Sequence, residues 1–320
     1  MRVGVRPGTA VRAILVALTC AAAGASAAPA AAIPEPAARP VLRAQAMPRP
    51  VETQARIEFT GEVGALYFTV AAGRGAEFEA AMLRASELLR ASRTATQREQ
   101  AEGWRFFKET GAGTDAPARY LLLLDPVVKG ADYSMRAAAA LADPEDARRL
   151  EEAYQFTQSG PVVQADYRVL LSMRPESEGA TSAQVSRERA AAAGARARAF
   201  TGDVGIQFNF VKADKTDAFE SAMTTVRGAL AASSDPDRRR QAAGWRVLRQ
   251  AAGEPAGQAV YLHLVDPVVE GADYTPSAIV AEAFGQETAL AFAKEYSTAF
   301  ARGVSLLSFA LVKPGVVDFP

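Results

Sequence analysis

The sequence predicts an α+β protein made of two βαββαβ units in tandem. Three observations predict it. The chain repeats itself at a fixed offset, each copy opens on a strand-like alternation, and each copy carries helical stretches at matching places. Phe59–Thr60–Gly61 returns as Phe200–Thr201–Gly202, and Gly103–Trp104–Arg105 returns as Gly244–Trp245–Arg246. Asp125–Pro126–Val127–Val128 with Gly130–Ala131–Asp132–Tyr133 returns as Asp266–Pro267–Val268–Val269 with Gly271–Ala272–Asp273–Tyr274. The offset is 141 throughout, and 32 of the 75 positions from Phe59 to Tyr133 are identical without a gap. This is a duplicated domain; the period is too long, and the copies too few, for a solenoid. Each copy is a control for the other: shared residues report the fold, and differences report specialisation.

The first strand of copy two alternates Ile206, Phe208 and Phe210 with Gln207, Asn209 and Val211, the period of two that a strand requires. Copy one alternates Ala65, Tyr67 and Thr69 with Leu66, Phe68 and Val70. Phe78, Met82, Ala85 and Leu89 then fall on one helical stripe, repeated by Phe219, Met223, Val226 and Leu230, as core packing against a sheet demands. The strands starting at Trp104 and Trp245 should pair with those starting at Tyr120 and Tyr261 as long-looped hairpins. Asp125–Pro126 and Asp266–Pro267 end the second strand of each hairpin, because proline cannot donate to a ladder. A second helix should start with Ser134 or Thr275 as N-cap, and Pro276 suits its first position. A last strand lies near Tyr167–Met173 and near Ser305–Val312.

Outside the copies, Arg2, Arg6 and Arg12 precede an apolar run, and Ala25–Ser26–Ala27 fits a small-x-small cleavage site. Residues 1–27 therefore read as a secretory signal cleaved near Ala27, giving a periplasmic or secreted protein with no stable membrane anchor. Cleavage leaves 33 bases against 36 acids and removes Cys20, the only cysteine. That excludes disulfides and thiolate metal sites in the mature chain. With one histidine, a multi-histidine metal centre is also excluded. The balanced charge gives no case for nucleic acid. Residues 28–56, rich in Pro and Ala, read as a disordered spacer. Repeat one spans 57–173, a linker 174–197, and repeat two 198–320.

The order βαββαβ defines a ferredoxin-like unit. The two units are expected to pack sheet to sheet, since the sheet face away from the helices also carries Phe and Leu. Element order and the tandem repeat resemble the dimeric α/β-barrel superfamily, here with both halves in one chain. The Gln–Ala–Ala–Gly–Trp and Asp–Pro–Val–Val–x–Gly–Ala–Asp–Tyr strings are similar to exported bacterial proteins of this class whose function is not known.

The candidate site comes from what the copies do not share. Leu121/Leu262 and Leu123/Leu264 are unchanged and read as the helix-facing core. On that assignment the opposite parity faces the space between the sheets. Copy two there replaces Leu66 by Gln207, Phe68 by Asn209 and Leu122 by His263. Buried polar groups cost about 1–3 kcal/mol each unless partnered, so a polar pocket is expected. It would comprise Gln207, Asn209, Trp245, Arg246, Tyr261 and His263, with His263 and Asn209 as catalytic candidates. The expected occupant is a small apolar or aromatic molecule between the sheets. A monooxygenase-like enzyme and a structural module with a fully packed intersheet core are the alternatives. The superfamily resemblance implies cofactor-free or haem-degrading oxygenase sites built from Asn, Trp, His, Tyr and Arg. No cofactor is expected, with haem as the alternative; its ligand histidine in such relatives lies on a helix, whereas His263 reads as strand.

Overall fold

The computed structural model describes residues 50–51, 56–111, 113, 115–173, 198–251, 254 and 257–312. The signal at 1–27, most of the spacer, the linker at 174–197 and the tail beyond 312 lie outside them. Repeat one contains strand β2 (Val63–Val70), helices α1 (Gly75–Ala91) and α2 (Ala95–Glu102), and strands β3 (Trp104–Glu109) and β4 (Ala118–Leu124). Helices α3 (Met135–Ala139) and α4 (Pro144–Thr157) and strand β5 (Val162–Ser172) complete it. Repeat two runs β6 (Val204–Lys212), α5 (Thr216–Ala232), α6 (Pro236–Gly244), β7 (Trp245–Gln250) and β8 (Gln258–Val265). It ends with α7 (Pro276–Phe284), α8 (Gln286–Thr298) and β9 (Ser305–Leu311). A two-residue strand, β1 (Pro50–Val51), pairs with Val163 and Val162, so part of the expected spacer is ordered against the sheet.

Each repeat is the expected ferredoxin-like unit, with sheet orders β5-β2-β4-β3 and β9-β6-β8-β7. The sheets also join at their edges. β3 pairs antiparallel with β9, and β5 pairs antiparallel with β7. Eight strands therefore close into a single antiparallel barrel, an intramolecular dimeric α/β barrel with helices outside. The expected single helices are each two: α2 and α6 precede the tryptophan strands, and the second helix of each unit is broken into α3/α4 and α7/α8. The break in repeat two is at Gly285, whose φ is 87°, a conformation open to glycine without strain.

The repeated motifs have structural reasons. A Cβ on Gly202 would lie 2.1 Å from the carbonyl oxygen of Phe309 in β9, so the entry to β6 must pass where only glycine fits. A Cβ on Gly244 would lie 2.6 Å from the carbonyl oxygen of Pro267 in the Asp–Pro turn; both peptide bonds into these prolines are cis. Asp132 and Asp273 tie the start of each repeat to its second helix. Asp273 accepts from the Arg198 amide at 3.1 Å and the Thr275 amide at 2.8 Å, and Asp132 does the same for Ile57 and Ser134. Tyr133 and Tyr274 accept the amides of Val128 and Val269, each at 2.8 Å. Asp273→Ala should therefore cost about 1 kcal/mol, the usual worth of a cap-type acceptor, read as a fall in the urea midpoint.

The assignment of sheet faces is reversed from the expected one. Leu121, Leu123, Leu262 and Leu264 face the barrel interior, with Val63, Ala65, Tyr67, Phe107, Tyr167, Ile206, Phe208, Leu248 and Phe309. Tyr120, Leu122, Leu124 and Tyr261 face the helices. The physical reason is that both faces of each sheet are buried, so an apolar residue kept in both copies does not by itself name its face. The intersheet space holds this continuous apolar core, of which Leu121, Leu123, Leu262, Leu264 and Phe107 are wholly buried.

Candidate functional site

Alternation along β7 settles the orientation of the Gly–Trp–Arg motif. Trp245 and Val247 face the helices, and Arg246 and Leu248 face the barrel. Trp104 and Phe106 likewise face the helices, with Phe107 inward. The two arginines then reach across between repeats. Arg246 donates to Asp125 of repeat one at 2.5 Å, and Arg105 donates to both carboxylate oxygens of Asp266 of repeat two, one at 2.9 Å. The repeated aspartates and arginines are thus reciprocal struts between the repeats, and Arg246 does not belong to the polar group expected around His263.

Gln207, Asn209 and His263 do come together, on the other face from the one expected. They lie between the sheet of repeat two and its helices. Gln207 and His263 are direct cross-strand partners on β6 and β8, and all three side chains are at most 4% exposed. Gln207 Nε2 donates to Asn209 Oδ1 at 2.6 Å, and Asn209 Nδ2 donates back to the Gln207 carbonyl at 3.2 Å. Trp245 meets the imidazole edge-on at 5.7 Å between ring centres, and Phe219 of α5 stacks on it at 6.1 Å. Tyr261 shares the face but points its hydroxyl to Glu220 at 2.6 Å, beside Arg249. Tyr120 does the same with Glu79 in repeat one, so this pairing belongs to the fold.

Two members of the cluster were not expected. Arg198 Nη1 donates to Gln207 Oε1 at 3.1 Å. Tyr296 of α8 stacks on Phe219 at 5.9 Å and lies against Arg198 and Gln207. The signal for Arg198 was available: at the same offset its counterpart is Ile57, two residues before the compared stretch. Repeat one thus holds Ile57, Leu66, Phe68 and Leu122 in one apolar core where repeat two holds Arg198, Gln207, Asn209 and His263.

The cluster is incompletely satisfied. His263 Nε2 is buried without a hydrogen-bond partner among the described residues, and the buried Tyr296 hydroxyl has only Arg198 and Gln207 beside it. Burial, then the positive charge of Arg198, pushes the His263 pKa down to about 3. Its imidazole is therefore neutral at physiological pH and a weak proton acceptor. Burial raises the Tyr296 hydroxyl above the ordinary tyrosine value, with Arg198 pulling the other way. A haem does not fit this histidine: Trp245 and Phe219 pack on the buried ring, and a macrocycle would have to displace both. Among the described residues no group of three His, Cys, Asp or Glu side chains could hold a metal ion, and no helix is long and apolar enough to cross a membrane. A surface cavity of about 280 Å³ between α5, α6 and α7 is lined by Ser233, Asp235, Arg238 and Glu282. Its arginine is already held by Glu282 at 2.7 Å and the Asp273 carbonyl at 2.6 Å.

No described family matches the chain, and no curated protein does. Solved structures are similar to it. A provisionally named monooxygenase from Fusobacterium nucleatum is 8% identical over 78% of this chain and 92% of its own, with a TM-score of 0.41. A provisionally named monooxygenase from Lactobacillus acidophilus is 10% identical over 80% of this chain and 100% of its own, with a TM-score of 0.37. An anthrone oxidase-like protein is 10% identical over 81% of this chain and 95% of its own, at 0.33. At these scores the fold rests on the strand order and register of the chain itself.

Proposed function

We propose that the protein is an exported small-molecule binder whose site is the polar cluster of repeat two, beneath α5 and α8, rather than the space between the sheets. One observation carries the reading. Four apolar core positions of repeat one are polar in repeat two, and the resulting buried group leaves His263 Nε2 unpartnered among the described residues. A buried polar atom left unpaired costs about 1–3 kcal/mol, and a ligand that supplies its partner recovers that cost. Phe219, Trp245 and Tyr296 pack around the imidazole, so the ligand is small and takes its place by shifting part of that aromatic packing. Repeat one is the packed counterpart that completes the barrel.

The single histidine provides the test, because its imidazole nitrogen resonances need no assignment. Aromatic compounds that bind should raise the melting temperature and shift those resonances. Compounds that stabilise the protein while leaving them unmoved would put the site elsewhere. For the exported state, the N-terminal sequence of the protein recovered outside the cytoplasm should begin near Ala28; recovery with residues 1–27 attached would overturn it.

A further inference from the structure

The ligand's chemical class can be taken further, on the reading that repeat two binds a small molecule. Arg198 reaches the cluster from the chain just before β6, and it is only partly buried, unlike the other members. Its side chain donates to the neutral amide oxygen of Gln207 and lies against the neutral Tyr296 hydroxyl. No carboxylate of the described residues forms an ion pair with it. Arg119 and Arg238, likewise partly buried, have such partners in Glu109 and Glu282, and the buried Arg246 has Asp125; the partly buried Arg227 forms no ion pair among the described residues. A guanidinium turned toward a buried polar group without a counter-charge is an anion-receiving arrangement, since it presents several donors in a fork that matches a carboxylate. The buried Tyr296 hydroxyl lies beside it, against Arg198 and Gln207, and can turn its proton to the same group.

We infer that the ligand is a small aromatic carboxylate, its carboxylate received by Arg198 and the Tyr296 hydroxyl and its ring lying toward Phe219 and Trp245. Gln207 holds the guanidinium from below, and Asn209 holds Gln207, so the two amides position the charge.

Benzoate and its neutral isostere benzamide are the probes, titrated calorimetrically into the mature protein and followed by the His263 nitrogen resonances. Benzoate should bind and benzamide should bind at least tenfold more weakly. Arg198→Met should weaken benzoate about tenfold or more, the usual worth of a charge-assisted hydrogen bond. Arg198→Lys, which keeps the charge, should weaken it less. Equal affinity for the two probes, with Arg198→Met indifferent to either, would overturn the carboxylate while leaving the site in repeat two standing. Histidine resonances unmoved by both probes in the unaltered protein would overturn the carboxylate and remove the support for that site. The comparison of probes uses unaltered protein, so it does not depend on how any variant folds.

Discussion

Arg246→Met is expected to lower the free energy of unfolding by about 3 kcal/mol. The arginine side chain is 7% exposed and its partner Asp125 14% exposed. Removing one member of such a buried pair strands the other's charge, which typically costs 3–5 kcal/mol. The low end applies because Asp125 has other interactions. The counterpart Arg105 is 29% exposed but its partner Asp266 only 5%, so Arg105→Met also leaves a buried carboxylate unbalanced and should cost about as much, about 3 kcal/mol. Urea unfolding at neutral pH measures both. Adding Asp125→Asn to Arg246→Met should recover part of the loss by neutralising the stranded carboxylate. A loss below about 1 kcal/mol for Arg246→Met would show that the cross-repeat strut contributes little.

His263→Leu should remove about 2 kcal/mol of acid sensitivity between pH 7 and pH 5. The folded-state pKa is lowered to about 3 by burial and Arg198, against about 6.5 for an unfolded histidine. Between those values the unfolded chain binds a proton that the folded chain excludes. Stability therefore falls as pH drops below about 6.5, by about 2 kcal/mol at pH 5. Leucine cannot titrate, and it is the residue that repeat one carries at Leu122. Urea midpoints across this range should run closer to flat for the variant than for the parent. Parallel curves would mean that His263 takes up its proton in the folded protein as readily as in the unfolded chain.

Much of the fold was legible because the repeat supplied two readings of each element. The hairpins, the α1 and α5 stripes and the helix cap at Ser134 follow from local pattern and stand where expected; Thr275 stands at its N-cap position, but its hydroxyl accepts the Arg198 amide instead of capping the helix. The breaks between α3 and α4 and between α7 and α8 were missed, as were α2 and α6. Ala95–Glu102 is short and polar and buries only Gln100 and Ala101, so it carries no apolar stripe to read. The site was legible in its residues and not in its face. Gln207, Asn209 and His263 announced themselves by departing from Leu66, Phe68 and Leu122. Their direction was misjudged because the unchanged leucines were assigned to the helices. The barrel interior is one core that both repeats share, so its residues are constrained from two sides. Each helix layer packs mainly on its own sheet, touched by the other repeat only through the end of its last strand, and it is in this less shared layer that the polar cluster arose.

The reciprocal struts have a consequence for how such a chain can change. In an assembly of two identical halves, any substitution at these positions reaches both halves at once, so donor and acceptor stay matched. In a fused chain the two genes' worth of sequence drift separately, yet Arg105 answers to Asp266 and Arg246 answers to Asp125. A change in either half must be met by a change in the other, some hundred residues away. The halves are thereby freest to acquire separate duties where they touch least, and the layer beneath α5 and α8, which repeat one meets only at the end of β5, is such a place.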